Sequence, residues 1–101
     1  MSIRYRTFAE FYPFYLSQHR HAVCRRLHLF GLLLGCTSFA AGLVVGRAPL
    51  LLGGLLLGYG FGWFGHFVFE RNRPATLQYP LFSFLGDWVM AKDILTGKLP
   101  F

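Results

Sequence analysis

Two long apolar stretches lie next to each other in the middle of the chain. Residues 27–46 contain no Asp, Glu, Lys or Arg, and residues 48–69 contain none either. Between them, Gly, Arg, Ala and Pro at residues 46–49 are typical of a tight turn. Since an α-helix rises about 1.5 Å per residue, each stretch is long enough to cross a hydrocarbon core of about 30 Å. The pattern predicts a transmembrane hairpin with helices at residues 23–46 and 49–70.

Small residues recur within both stretches at a spacing of about four. On a helix this spacing makes a face on which two backbones approach closely, a packing mode suited to lipid, where there is no hydrophobic drive between helices. The residues are Gly31, Gly35, Ser38, Gly42 and Gly46 in the first stretch, and Gly54, Gly58 and Gly62 in the second. We expect these two faces to pack on each other.

The segments that flank the hairpin predict two shorter helices. Aromatic residues and arginines near the N-terminus indicate an interfacial helix at residues 7–20, which Pro13 should kink or restart. A second helix at residues 80–96 begins at Pro80 and, at about 22 Å, is short for a full crossing. It either lies on the membrane surface or packs against the hairpin. The sequence therefore predicts one all-α membrane domain over residues 1–101.

Composition and charge support this class. At 101 residues and 54% hydrophobic content, a soluble domain has no interior large enough for two such stretches. Nine of the ten Lys and Arg residues flank the stretches, and only Arg47 lies at the turn. The positive-inside rule then predicts a multi-pass integral membrane protein with both termini cytoplasmic, in the inner membrane if bacterial or the endoplasmic reticulum if eukaryotic. Lipid headgroups account for the net charge of +6, so we expect no nucleic-acid partner.

Cysteine usage and the N-terminus add little to this picture. Cys24 and Cys36 are twelve residues apart, which on one helix is about 18 Å and too far for a disulfide. The first twenty residues lack an apolar core of the kind found in signal peptides, so we expect no cleavable signal.

Each apolar stretch contains one histidine, and an ionisable side chain inside a membrane is costly. Counted from the turn, His28 and His66 should lie at the same depth to within about one residue rise, ~1.5 Å. Each histidine either makes one interhelical hydrogen bond or binds a metal ion such as Fe, Zn or Cu. His19 and His21 lie nearby, and spacing alone does not choose between them as a third ligand.

Three charged residues are further candidates for the site. Glu70 follows His66 by one helical turn, so it either orients that imidazole or forms a salt bridge with Arg25 or Arg73. Asp87 is an oxygen ligand, a helix–helix hydrogen-bond partner or a solvated side chain. Arg25 holds a substrate carboxylate in a bidentate contact or only sets the membrane topology.

Four segments of the chain, residues 15–21, 25–31, 65–75 and 85–98, match known sequence motifs. They resemble a family of small membrane proteins that contains the 2-hydroxy-palmitate dioxygenase of phytosphingosine breakdown, and residues 85–98 are similar to the C-terminal part of its bacterial members. The chain has Cys24 where the first motif usually carries Asn, and Ala22 where Pro is common. The resemblance covers nearly the whole chain.

The resemblance implies a membrane-embedded, Fe(II)-dependent dioxygenase that converts a 2-hydroxy fatty acid and O2 into the acid one carbon shorter and CO2. Carried over by position, His19, His28 and His66 are its essential histidines, with Glu70 beside them. A fourth ligand is left open between His21, a carboxylate and water, as is a homo-oligomer. Two alternatives are a non-enzymatic membrane protein whose histidines only pack helices, and a haem protein with His28 and His66 as axial ligands.

Overall fold

The computed structural model describes residues 5–101, which form α-helices and short helical turns and no strand. Residues 1–4, with Arg4 of the predicted basic N-terminal segment, lie outside this description. The helices are α1 (Phe8–Ser17), α2 (Ala22–Val45), α3 (Ala48–Phe64), which continues into a π-helical segment (Gly65–Glu70), a 3-10 turn (Ala75–Leu77) and α4 (Pro80–Leu95). The predicted all-α class, with two long apolar helices, is confirmed.

Helices α2 and α3 form an antiparallel hairpin with closely packed backbones. Gly46 ends α2 with a φ of 68°, a left-handed conformation that glycine adopts without strain. Farther along the pair, a Cβ atom on Gly54 would lie 2.5 Å from the backbone oxygen of Gly35. The predicted contact between the small-residue faces therefore occurs, and at this level it leaves no room for a side chain.

This contact predicts a stability difference between two glycines of α3. Gly54→Ala should lower the free energy of unfolding by about 1–3 kcal/mol, because the added methyl group meets backbone atoms that cannot rotate away. Gly60→Ala is the matched control, since its Cβ would have no heavy atom within 4 Å. The control should stabilise α3 by up to about 1 kcal/mol. Denaturant unfolding in detergent micelles measures both, and equal effects would contradict the proposed contact.

The hairpin presents apolar side chains to its surroundings. Both helices are long and apolar enough to cross a membrane, and only 22% and 17% of their most apolar windows are buried within the protein. Val44, for example, is 85% exposed and Leu43 is 65% exposed. The core helix of a soluble protein would be largely covered, whereas the outer surface of this hairpin is exposed and apolar.

Helices α1 and α4 pack together at the end of the hairpin away from its turn. Phe11 and Tyr15 of α1 are fully buried, and Tyr12 donates a 2.7 Å hydrogen bond to Asp93 of α4. Pro13 lies inside α1 without ending the helix. Helix α4 also contacts α2. The two terminal helices therefore enclose this end of the hairpin.

Candidate metal centre

Three imidazole rings meet at the enclosed end of the hairpin. His19 comes from the link between α1 and α2, His28 from α2, and His66 from the π-helical segment. All three are buried, and one ligand nitrogen from each lies within 4.8 Å of the other two. The depth count predicted that His28 and His66 would meet, and their ring centroids are 4.8 Å apart.

Hydrogen bonds to the backbone fix the tautomers of two of the rings. Nδ1 of His19 lies 2.7 Å from the carbonyl oxygen of Tyr15, and Nδ1 of His28 lies 2.9 Å from that of Cys24. A carbonyl oxygen only accepts hydrogen bonds, so Nδ1 carries the proton in both rings. In the neutral imidazole, Nε2 then has a free lone pair.

Asn72 fixes the third ring. Its side-chain nitrogen donates to the backbone carbonyl of Gln18 at 3.1 Å, which turns its Oδ1 towards Nδ1 of His66 at 2.7 Å. Nδ1 of His66 is therefore also the donor, and its Nε2 is free. Arg71, with a φ of 58°, reverses the chain so that Asn72 returns to the ring. Asn72 was not among the predicted site residues, although it lies in the segment at residues 65–75 that resembles the family.

The free nitrogens of His19 and His28 point at each other. Nε2 of His19 lies 3.1 Å from Nε2 of His28, so two lone pairs face each other unless a cation lies between them. A proton is disfavoured there, because burial and then the neighbouring rings of His28 and His66 lower the pKa of His19 well below its ordinary value. Ligand nitrogens about 2.1 Å from one transition-metal ion are about 3.0–3.4 Å apart. The His19–His28 pair has this spacing, and the ligand nitrogen of His66 lies within 4.8 Å of both, so a small inward movement of His66 would let three neutral imidazoles hold one metal ion.

Two glycines make room for this cluster. A Cβ atom on Gly62 would lie 3.0 Å from Nε2 of His28, and one on Gly65 would lie 3.0 Å from Sγ of Cys24. Gly62, predicted as a packing residue, therefore also leaves space for the His28 ring. His66 is the second residue of the π-helical segment, a type of irregularity that is frequent at functional sites.

Glu70 lies close to the cluster but makes a different contact from the one expected. Its Oε2 accepts a 2.6 Å hydrogen bond from the backbone N–H of His21, at the start of α2. The hydrogen bond to the His66 ring is made by Asn72 instead. Glu70 therefore ties the end of the π-helical segment to the first turn of α2.

His21 lies outside the group of three. It is the N-cap of α2, and its Nδ1 accepts a 3.1 Å hydrogen bond from the backbone N–H of Val23. Its ring contacts Phe69 and is solvent-exposed. The structure thus places His19 in the cluster and gives His21 a capping role.

Arg25 binds backbone oxygens. Its Nη1 donates to the carbonyls of His19 and Arg20, at 3.0 and 2.9 Å, and its Nε donates to that of Pro100 at 3.3 Å. The guanidinium therefore holds the α1–α2 link that carries His19.

Asp87 is joined to the cluster through Tyr15. The Tyr15 hydroxyl donates to Oδ1 of Asp87, and its ring stacks on His19 with centroids 4.1 Å apart. Burial raises the pKa of Asp87 to about 6, while the hydrogen bond from Tyr15 acts in the opposite direction. Burial and the neighbouring Asp87 carboxylate raise the pKa of Tyr15, so Tyr15 remains a donor.

A groove of about 340 Å³ leads away from the cluster along the contact between α2 and α3. His28 and Asp87 line one end of it, and Leu43 lines it near the hairpin turn. Apart from Cys36 and Tyr59, the intervening wall is apolar. The site therefore combines a polar end with a long apolar extension.

The hydrogen bond from His66 to Asn72 should increase the affinity of the site for metal. Asn72→Leu should weaken Fe(II) or Co(II) binding about 10–100-fold, because the ring loses the partner that sets its tautomer and orientation. Asn72→Asp keeps an oxygen acceptor for Nδ1 and should retain more of the affinity. Competition with a chelator of known affinity measures the change. Equal metal affinity in wild type and Asn72→Leu would contradict the orienting role.

Comparison with known proteins agrees with this site. A family model described as "2-hydroxy-palmitic acid dioxygenase Mpo1-like" matches residues 5–99, nearly the whole chain. No curated protein and no solved structure matches the chain. The matched region contains all three clustered histidines and both hairpin helices. The chain belongs to the Mpo1-like family.

Proposed function

We propose that this protein is a membrane-embedded, Fe(II)-dependent dioxygenase that shortens 2-hydroxy fatty acids by one carbon. The observation that carries the proposal is the convergence of three buried, neutral imidazoles, two of whose free nitrogens face each other at 3.1 Å. The name of the matching family supports the reaction class. Zinc has no redox chemistry, so a reaction with O2 needs a redox-active metal such as iron or copper, and the family resemblance implies iron.

The reaction balances without a further reductant. A 2-hydroxy acid and O2 give the acid one carbon shorter, CO2 and water, and all four electrons come from the substrate. His19, His28 and His66 would hold the iron ion, which would supply the redox chemistry of the reaction with O2.

The surrounding residues have separate tasks in this scheme. His19, His28 and His66 hold the ion. Asp87 lies at the polar end of the groove, where its Oδ2 accepts the hydrogen bond of the substrate 2-hydroxyl group, while Tyr15 holds Oδ1. Arg25 acts indirectly, by holding the backbone that carries His19.

Glu70 likewise acts through position. Its hydrogen bond to the backbone of His21 keeps the π-helical segment close to the start of α2. The two segments contribute His66 and His28, so this contact preserves the distance between two of the three ligands. The carboxylate itself is not required to touch the substrate.

Both alternatives fit the geometry less well. Histidines that only pack helices would pair a donor with an acceptor, whereas here Nε2 of His19 and Nε2 of His28 are both acceptors. A haem between His28 and His66 would need the space that the His19 ring fills, since its centroid lies 4.4 and 4.5 Å from theirs.

The apolar outer surface of the hairpin supports a membrane location. In this location the basic residues near both ends of the chain lie at the cytoplasmic surface, with Arg47 on the opposite side. The metal centre then lies just below the cytoplasmic face. A fatty acid reaches the groove from within the bilayer.

Turnover of a defined substrate tests the proposal. Protein in lipid nanodiscs, loaded with Fe(II), is incubated with 2-hydroxypalmitate in air. We expect pentadecanoate and CO2 in equal amounts, with one O2 consumed for each, and no product from zinc-loaded protein or without O2. A Soret band in the absorption spectrum would favour the haem protein instead. If the protein binds no metal, the histidines only pack the helices and the dioxygenase proposal is wrong.

A further inference from the structure

We infer that the groove between α2 and α3 is the binding site for the acyl chain, and that its depth sets the chain length the enzyme accepts. This inference rests on the proposed function, because it assigns the occupant of the groove as the tail of a 2-hydroxy acid. It identifies Gly58 and Ala40 as residues that determine specificity. Both line the groove and neither touches the metal centre.

The groove is continuous with the metal centre, which argues for this occupant. His28 is both a member of the histidine cluster and part of the groove wall, and Asp87 lies at the same end. When the carboxylate and hydroxyl groups of a substrate lie at the cluster, its acyl chain extends either along the apolar groove or into the surrounding lipid. Glycines form the bottom of the groove, so an acyl chain can lie close to the helix backbones.

The length of the groove matches a long fatty acid. Leu43 lies fifteen positions after His28 in α2, so their levels are about 22 Å apart. An extended acyl chain advances about 1.3 Å per carbon, so this distance corresponds to about 17 carbons. The groove thus accommodates a chain of the length of palmitic acid without bending it.

Gly58 provides a position at which the groove can be blocked near the metal. It packs between Gly31 and Gly35, about 5–10 Å beyond the level of His28. The nearest atom of the facing helix to an added Cβ is the backbone oxygen of Gly31 at 3.8 Å, so the first side-chain atom fits and a larger side chain projects into the groove that Gly58 lines. Gly58→Leu should therefore exclude chains longer than about four to eight carbons.

Ala40 provides a second block farther away. It lies twelve positions after His28, at about 18 Å, so Ala40→Trp should exclude chains longer than about 14 carbons. The longest chain that each variant accepts should increase with the distance of the substituted residue from His28. A nonspecific effect on stability would not produce this order.

Matched controls are available for both variants. Gly60→Leu introduces the same side chain on the same helix, where an added Cβ meets nothing within 4 Å and lies outside this groove. Ala41→Trp changes the neighbouring exposed alanine, which does not line the groove. Both controls should keep the wild-type chain-length profile.

The experiment combines a binding and a turnover measurement on the five proteins in nanodiscs. Binding is followed under anaerobic conditions, by displacement of a fluorescent fatty acid with 2-hydroxy acids of six to eighteen carbons. Turnover is followed in air with the Fe(II)-loaded protein. We expect at least about a tenfold loss of binding and turnover for chains beyond each cutoff, with shorter chains and metal content unaffected. Gly58→Leu should have the shorter cutoff.

Each outcome separates this inference from the proposed function. If turnover occurs but neither block changes the chain-length profile, the groove holds ordinary bilayer lipid and the inference is wrong. If chains bind with the expected cutoffs but no variant or wild type turns them over, the acyl site stands and the dioxygenase proposal fails. If Gly58→Leu does not fold, Ala40→Trp against Ala41→Trp still decides the question.

Discussion

Replacing any one of His19, His28 and His66 by alanine should abolish stoichiometric metal binding and, with it, turnover. Two imidazoles without a third ligand hold a divalent ion weakly, and we expect the affinity to fall at least about a thousandfold. The variants are compared with wild type by metal content after dialysis and by the absorption spectrum of the Co(II) form. The spectrum reports on the ligands directly, so it does not depend on the proposed reaction.

His21→Asn is the matched control for these variants. It removes a nearby imidazole that lies outside the cluster, while Asn still supplies an acceptor for the backbone N–H of Val23 at the N-cap. Metal content and the Co(II) spectrum should stay unchanged. Loss of metal in His21→Asn together with retention in His19→Ala would reverse the assignment of the third ligand. Helical content by circular dichroism separates loss of a ligand from loss of the fold.

Regular helix geometry explains why part of the site could be predicted. A helix of fixed rise carries each apolar stretch back from the turn, so residue counting was enough to place His28 and His66 at one depth. The small residues four apart predicted the close contact that makes such a count meaningful, and Gly35 and Gly54 do meet there. These predictions depend on local periodicity alone.

The rest depended on irregular backbone that periodicity does not describe. A regular α-helix places Glu70 on the face of His66, but the π-helical segment and the left-handed conformation of Arg71 bring Asn72 there instead. Similarly, the choice of His19 over His21 depends on the two-residue link before the N-cap, where Arg25 holds the carbonyls. Neither feature follows the regular spacing of a helix, so neither could be predicted from residue counting.

The role of Asp87 was also left open by the sequence. Its partner Tyr15 lies in α1, more than seventy residues earlier, and no spacing rule connects them. The groove that Asp87 shares with His28 results from the packing of three helices. Burial of this carboxylate lowers the free energy of unfolding, and this loss can be measured.

Asp87→Asn should make the iron-free protein more stable above neutral pH. Burial raises the pKa of Asp87 from 3.8 to about 6, so between these values the folded protein binds more protons than the unfolded chain. The free energy of unfolding of wild type therefore falls as the pH rises from about 4 to about 6, and stays lower above that. This difference in pKa between the unfolded and the folded protein corresponds to at most about 3 kcal/mol, and Asp87→Asn should recover up to that amount at pH 8.

Denaturant unfolding of the metal-free protein at pH 4 and pH 8 measures this difference. Wild type and Asp87→Asn should differ little at pH 4 and by up to about 3 kcal/mol at pH 8. Tyr15→Phe should raise the pKa of Asp87 further and extend the loss of stability to higher pH, because the tyrosine hydroxyl no longer stabilises the ionised carboxylate. Parallel pH curves for wild type and Asp87→Asn would contradict a buried, ionised Asp87. A variant that gains stability but loses turnover would show that the carboxylate is retained for the reaction at the expense of the fold.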